Sequence, residues 1–133
     1  MATDSPLAGV QQYIDGFNNG DIELMAATFA ESAAILDGMA PHLWQGPNAT
    51  RDWYSDVLAE GEHHGASGYF VTIGDAVHDS VTGDSAYVVV PAGMTFTLGD
   101  KRVTQTGASF TVALRRQTDG WRIAARAWTK GKQ

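Results

Sequence analysis

The hydrophobic period of this chain changes near residue 65, and that change constrains its fold more than any other feature. Before it, apolar residues recur at helical spacing; after it, they alternate with polar residues at strand spacing. The two periods place side chains on incompatible faces, so neither half can adopt the structure of the other. Helices first and strands afterwards is the pattern of an α+β domain rather than of alternating βαβ units. At 133 residues, the whole chain 1–133 reads as one domain with one core.

The first helix is announced by Ser5 as cap and Pro6 at the first helical position, followed by an apolar stripe of Val10, Tyr13, Ile14 and Phe17. Asn18-Asn19-Gly20 stops it, and Asp21 caps a second helix with Leu24, Met25, Thr28 and Phe29 as its stripe. Ala33 to Asp37 reads as a short strand and Gly38 to Gly46 as a loop. Gly46-Pro47 opens a third helix with Trp53, Tyr54, Val57 and Leu58 as its apolar side, ended by Gly61 to Gly65. Four long strands follow: Tyr69–His78, Ala86–Leu98, Arg102–Arg116 and Trp121–Thr129. Thr82-Gly83-Asp84, Gly99-Asp100 and Asp119-Gly120 turn the chain between them. The expected order is α-α-β-α-β-β-β-β.

Pro91 and Gly93 interrupt the second of these strands, which points to an edge, a bulge or a bend. A long antiparallel sheet bent there is curved, and three N-terminal helices cover its concave face only in part. The shape is a cone, closed at one end and open at the other, which suits a small apolar ligand. Tyr13, Phe17, Phe29, Trp53, Val57, Phe110 and Val112 are candidates for its wall. The same residues also suit a filled core, and their types do not distinguish the two.

The charge balance narrows the partners. Nine Lys and Arg against fifteen Asp and Glu give a net charge of −6, a poor match for nucleic acid or for an anionic membrane. Cysteine is absent, which removes disulfides, thiol nucleophiles and cysteine-ligated metals and fits a cytoplasmic location. No apolar run approaches a membrane span, and Met1–Pro6 lacks the basic and apolar regions of a secretory leader.

Two polar residues stand out. Asp37 ends the apolar run Ala33-Ala34-Ile35-Leu36, and a half-buried carboxylate there would be desolvated, its pKa rising toward that of a general base. Tyr13 lies on the stripe of the first helix, where a phenol could hold the oxygen of an enolate. Asp37-Gly38 is equally a turn signal, and Tyr13 equally a core residue.

The stretch Tyr13-Ile14-Asp15-Gly16-Phe17-Asn18-Asn19-Gly20-Asp21-Ile22-Glu23, then Phe29-Ala30 and Ala33 to Asp37, resembles the opening of the ketosteroid isomerase-like and SnoaL-like proteins of the nuclear transport factor 2-like superfamily. The resemblance extends through Gly46-Pro47 to Asp119-Gly120-Trp121-Arg122-Ile123. It implies a cone-shaped α+β fold, a homodimer through the sheet and no cofactor. The spacing of Tyr13, Asp21 and Asp37 is similar to that in the isomerases, so the resemblance places Tyr13 on the oxyanion tyrosine and Asp37 on the catalytic base. Those isomerases also use a protonated aspartic acid on a late strand. Lys101 to Thr118 contains no Asp or Glu; Phe110 or Val112 falls there, or Ser109 or Thr111 if the strand has the opposite phase. Half of that oxyanion hole is therefore missing, which turns the expectation away from steroids.

Pro41-His42-Leu43-Trp44-Gln45-Gly46 resembles a stretch that lines the pocket mouth in SnoaL-like proteins, which implies that Trp44 contacts the ligand and that His42 orients Asp37 or returns a proton. A loop-packing histidine fits the residues as well. His63-His64 near Glu60 and Glu62 lacks the convergence that a metal site needs, so no metal is expected. Arg122, Arg126 and Trp128 share one face of the last strand by alternation; Ile123, Ala125 and Ala127 make the more apolar face, so the arginines are expected to point outward. If Arg126 instead lined the cone, it could bind a carboxylate or counter Asp37. The functional expectation is a small apolar carbonyl compound in the cone, with proton transfer by Asp37 and Tyr13 in an isomerase, dehydratase or cyclase reaction. The alternative is a non-catalytic ligand-binding or protein-docking module.

Overall fold

The computed structural model describes residues 4–131; Met1–Thr3 and the last two residues lie outside it, and with them part of the segment read for a leader. Three helices, α1 (Pro6–Asn18), α2 (Ile22–Ala27) and α3 (Ala49–His64), pack on one face of a seven-stranded sheet. The strands are β1 (Phe29–Leu36), β2 (Leu43–Gly46), β3 (Ala66–Ile73), β4 (His78–Thr82), β5 (Ser85–Leu98), β6 (Lys101–Gln117) and β7 (Gly120–Thr129). The sheet runs β2-β1-β7-β6-β5-β3, with β4 beside β3's continuation on β5. All pairings are antiparallel except β1 with β7, so the expected cone-shaped α+β fold has a mixed sheet.

Local chemistry sets the helix ends. The Ser5 hydroxyl accepts from the Ala8 amide at 3.1 Å and the Asp21 carboxylate from the Leu24 amide at 3.0 Å. Gly65, at φ +72°, closes α3 in the left-handed conformation that glycine adopts freely. α3 runs through Gly61, where an added Cβ would stand 2.9 Å from both the Ala66 carbonyl oxygen and the Tyr69 hydroxyl. The missing side chain lets β3 leave the helix at close range.

Several boundaries differ from the periodicity. α2 ends at Ala27, and β1 begins at Phe29 because the Ile123 amide of β7 donates to the Thr28 carbonyl and Phe29 enters the ladder opposite Ile123. The supposed loop contains β2, whose Leu43 and Trp44 pair with Leu36 and Ile35. The expected strand Tyr69–His78 is two strands. β5 pairs with β4 from Ser85 to Val89 and with β3 from Ala92 to Leu98, and Pro91 sits at the change of partner, where its missing N–H leaves no bond unmade. Past Gly93 the register of β5 on β6 shifts, with Gly107 at φ +78° in the extra residues of β6.

The core lies between helices and sheet. Val10 of α1, Ile35 of β1, Val88 and Val90 of β5, Val112 and Leu114 of β6 and Ile123 of β7 are fully buried. Burying each such side chain stabilises the fold by roughly 1.5–3 kcal/mol. Leu58, expected on the apolar side of α3, is exposed. The outer face of the sheet carries mainly small residues where β1, β7 and β6 meet, with Ala34 opposite Ala125, Ala125 opposite Ala113, and Ala127 opposite Thr111.

Candidate functional site

A cavity of about 170 Å³ opens between α1, α3 and the concave face of the sheet. Ile14 and Phe17 of α1, Trp53 and Val57 of α3, Val71 of β3, Met94 of β5, Phe110 of β6 and Trp128 of β7 give it apolar walls. Its polar side chains are Tyr13, Asp37, Glu60, Tyr69 and Arg126. Apolar cavities of ~150 Å³ take up a single aromatic ring, so the space suits a molecule of that size, with room to extend through the mouth.

Strand parity carries Asp37 into this space. Ala33 and Ile35 of β1 are buried while Leu36 is exposed, so Asp37, one residue past the strand, returns to the inner face. Its side chain is 15% exposed. One carboxylate oxygen, Oδ2, accepts from Trp53 Nε1–H at 2.8 Å; the other, Oδ1, accepts from the Met39 amide at 3.2 Å. Helical spacing carries Tyr13 to the same cavity. Its ring stacks on Phe110, with centroids 5.7 Å apart, and meets the edge of Phe29 at 5.3 Å. Burial pushes the Tyr13 phenol up to about 12; Arg126 opposes that shift and the Asp37 charge adds to it. The phenol is therefore protonated at neutral pH.

Between the two lies Arg126, 4% exposed. Its Nη2 donates to the Tyr13 oxygen at 3.0 Å, its Nη1 lies 3.7 Å from Asp37 Oδ2, and its guanidinium carbon sits 4.1 Å from the centre of a Trp53 ring. This corrects the expectation that Arg126 and Trp128 point outward. Ile123 pairs with Leu114 and Ala125 with Ala113, so Ala124 is an unmatched residue, a β-bulge. Trp121 and Ile123 face inward before the bulge, and Arg126 and Trp128 line the cavity after it. Alternation counted straight through Ala124 assigns them the wrong side. Arg122, before the bulge, does lie away from the cavity: it donates to the Ala27 carbonyl and pairs with Asp119.

Of the residues expected at the site, Tyr13, Asp37, Phe17, Trp53, Val57 and Phe110 line the cavity. Phe29, Trp44, Val112 and His42 do not. Phe29 supports the Tyr13 ring from behind, and fully buried Val112 pairs with Arg126 across the strands without reaching the space. Trp44 is buried beside α3, where its Nε1–H donates to Asp56 at 2.9 Å. His42 is exposed; its Nδ1 lies 3.1 Å from the main-chain oxygen of Asp37, not from the carboxylate. Phe110 and Val112 face inward on β6, so Ser109 and Thr111 are on the other side of the sheet. Met39, Tyr69, Val71 and Met94 complete the lining; only their place in the folded sheet and loop brings them there. Among the described residues, no three His, Asp or Glu side chains converge as metal ligands would, and no helix is long and apolar enough to cross a membrane.

Comparison with known proteins places this geometry. No curated protein matches the chain. Among solved structures it is similar to a candidate dehydratase of the NTF2-like family from Streptomyces avermitilis, with 18% identity and a TM-score of 0.76 over 94% of this chain and 93% of that one. It is similar to a ketosteroid isomerase-like protein from Erwinia carotovora atroseptica, with 18% identity and a TM-score of 0.74 over 95% and 93% of the two chains. It is also similar to an NTF2-like protein with a cystatin-like fold from Novosphingobium aromaticivorans, with 18% identity and a TM-score of 0.72 over 92% and 77%. At these identities the likeness is one of fold. The model of the SnoaL-like domain matches residues 10–130, nearly the full length, and the chain belongs to that family.

Proposed function

We propose that the protein binds a small, largely apolar carbonyl compound in the cavity and transfers a proton on it, with Asp37 as base and Tyr13 as the donor that holds the carbonyl oxygen. The observation that carries this reading is the meeting of both side chains on one apolar cavity through Arg126. The Tyr13 oxygen already accepts from Arg126, so its own proton is free for a substrate oxygen. The family and its neighbours, which include proteins named for isomerase and dehydratase activity, agree with it.

In this reading Asp37 takes a proton from the carbon beside the carbonyl. The electron pair of that C–H bond forms a carbon–carbon double bond, and the carbonyl π pair moves to the oxygen facing Tyr13. Returning the proton to a different carbon completes an isomerisation; giving it to a departing β-hydroxyl completes a dehydration. The Trp53 and Met39 N–H groups orient the carboxylate, and His42 supports the loop from the main-chain side. The open cavity speaks against the protein-docking alternative, which calls for a cone filled with side chains.

Asp37→Asn, which keeps the shape and removes the base, tests the mechanism. On a substrate found by screening enolisable ring carbonyls, kcat falls by roughly 10²- to 10⁴-fold. Unchanged turnover removes Asp37 from the chemistry and leaves a ligand-binding protein.

A further inference from the structure

The Arg126 guanidinium is buried with most of its hydrogen-bonding capacity unused. Among the described residues, one of its five N–H donors is engaged, from Nη2 to Tyr13. Nη1 stands 3.7 Å from Asp37, beyond hydrogen-bond distance, and buried Nε has no partner among the described residues. A guanidinium so placed costs stability unless something completes its shell. The same residue forms part of the cavity wall.

The geometry points to Arg126 as the second oxyanion donor of the site, acting beside Tyr13, and to neutral carbonyl compounds rather than organic acids as the ligands the wild-type cavity accepts. This rests on the proton-transfer reading and adds to it a residue and a selection rule. At rest the buried cation faces one anion, the Asp37 carboxylate. When Asp37 takes a proton from carbon, it becomes neutral and the substrate oxygen becomes negative. The cation therefore faces one anion before and after the step, and no net charge enters or leaves the apolar space. A carboxylate ligand would instead set two anions against a single cation at the inner end, with Glu60 a third acidic group on the cavity wall. Phe110 and Val112 face inward on β6, and the ladder pairs Phe110 with Trp128 and Val112 with Arg126, so the guanidinium stands on the same stretch of sheet as the Phe110 ring that stacks on Tyr13.

Two probes with the same ring test the rule: acetophenone, a neutral carbonyl, and benzoate, a carboxylate. Wild-type protein binds acetophenone at least roughly tenfold more tightly than benzoate, and Asp37→Asn gains at least about tenfold in benzoate affinity, the range of a charge-assisted hydrogen bond. Adding Arg126→Gln to Asp37→Asn abolishes that gain. Because the double variant alters a buried position, a measurement with Arg126 intact accompanies it: benzoate bound to Asp37→Asn shifts the arginine side-chain N–H resonances of Arg126 in nitrogen–proton NMR spectra. The inference is overturned if wild type binds benzoate as well as acetophenone, if the gain persists without Arg126, if those resonances do not move, or if neither probe binds. Failure of the underlying mechanism is read elsewhere, as unchanged turnover in Asp37→Asn, so the two can fail separately.

Discussion

Arg122 and Arg126 lie four residues apart on one strand and meet opposite fates. Arg122 is half-buried at the edge of the helical layer, bound to the Ala27 carbonyl at the end of α2 and paired with Asp119. Arg126 is buried in an apolar cavity with one hydrogen bond and an ion-pair contact at 3.7 Å. The first does what cations near helix C-termini commonly do, satisfying a carbonyl the helix leaves open. The second is held inside the cavity by the Tyr13 oxygen, the Asp37 carboxylate and the face of Trp53. The residue between them that separates the two environments is Ala124, which has no partner in the ladder with β6. A single inserted residue can thus convert a rim charge into a site charge, because strand side chains alternate with period two.

Deleting Ala124 is the severest way to break this contrast. Without the bulge, Trp121 and Ile123 cannot both remain inside while Arg126 and Trp128 do, so either core or site is turned outward. Stability falls by at least about 3 kcal/mol in urea unfolding, the scale of losing one or two large core side chains. A deletion variant within about 1 kcal/mol of wild type would mean that another residue takes up the bulge and that Ala124 does not aim Arg126.

The bulge also marks the limit of what the sequence discloses. The caps Ser5 and Asp21, the stop at Gly65 and the hairpin turns Gly99-Asp100 and Asp119-Gly120 were legible because each depends on a few neighbouring residues. Helical spacing put Tyr13 on the buried stripe of α1, whereas the unbroken apolar run before Asp37 left a turn and a site equally open, and only the family resemblance pointed Asp37 to the cavity. The early start of β1 at Phe29, the existence of β2 and the division of β3 from β4 depend on which distant strand each segment meets, and no local pattern reports that. Trp44 shows the same limit at the site. The resemblance of its stretch to SnoaL-like proteins implied the pocket mouth, yet Asp56, a turn beyond Trp53 on α3, claims its N–H. Trp53, three residues earlier on the same helix, makes the equivalent bond to Asp37. Two tryptophan–aspartate pairs of like geometry thus serve different ends, one fastening β2 to α3 and the other orienting a carboxylate over the cavity.

Tyr13 sharpens the contrast through pH. Its phenol is pushed up to about 12 from an ordinary 10.0, chiefly by burial. The folded state therefore disfavours the phenolate that the unfolded chain forms readily. The stability this represents is fully present below pH 10 and is lost as pH rises toward 12. The loss amounts to about 2–3 kcal/mol, at ~1.4 kcal/mol per pKa unit. Tyr13→Phe lacks that loss, so the stability difference between wild type and variant shifts in favour of the variant between pH 9 and pH 12. Equilibrium unfolding across that range measures it. A constant difference would mean that the Tyr13 hydroxyl reaches solvent, and with it that the inner end of the cavity is wet.

The smallest effect separates the two arginines most directly. Arg122→Ala removes a charged donor from the Ala27 carbonyl and lowers stability by about 1 kcal/mol, leaving the cavity as it was. Asp37→Asn/Arg126→Met takes out a buried ion pair and fills the guanidinium's place with an apolar chain of similar length. Such replacements are often neutral or stabilising, here by about 1 kcal/mol, because the desolvation of two charges is no longer required. The variant should unfold at higher urea concentration than wild type while losing turnover and carbonyl binding together. Opposite signs for the two arginines would place the cost of function on one side of Ala124 and the strength of the fold on the other. If the double variant instead unfolds at lower urea, Arg126 is a structural residue held by its stacking on Trp53, and the unused donors of its guanidinium need no ligand to explain them.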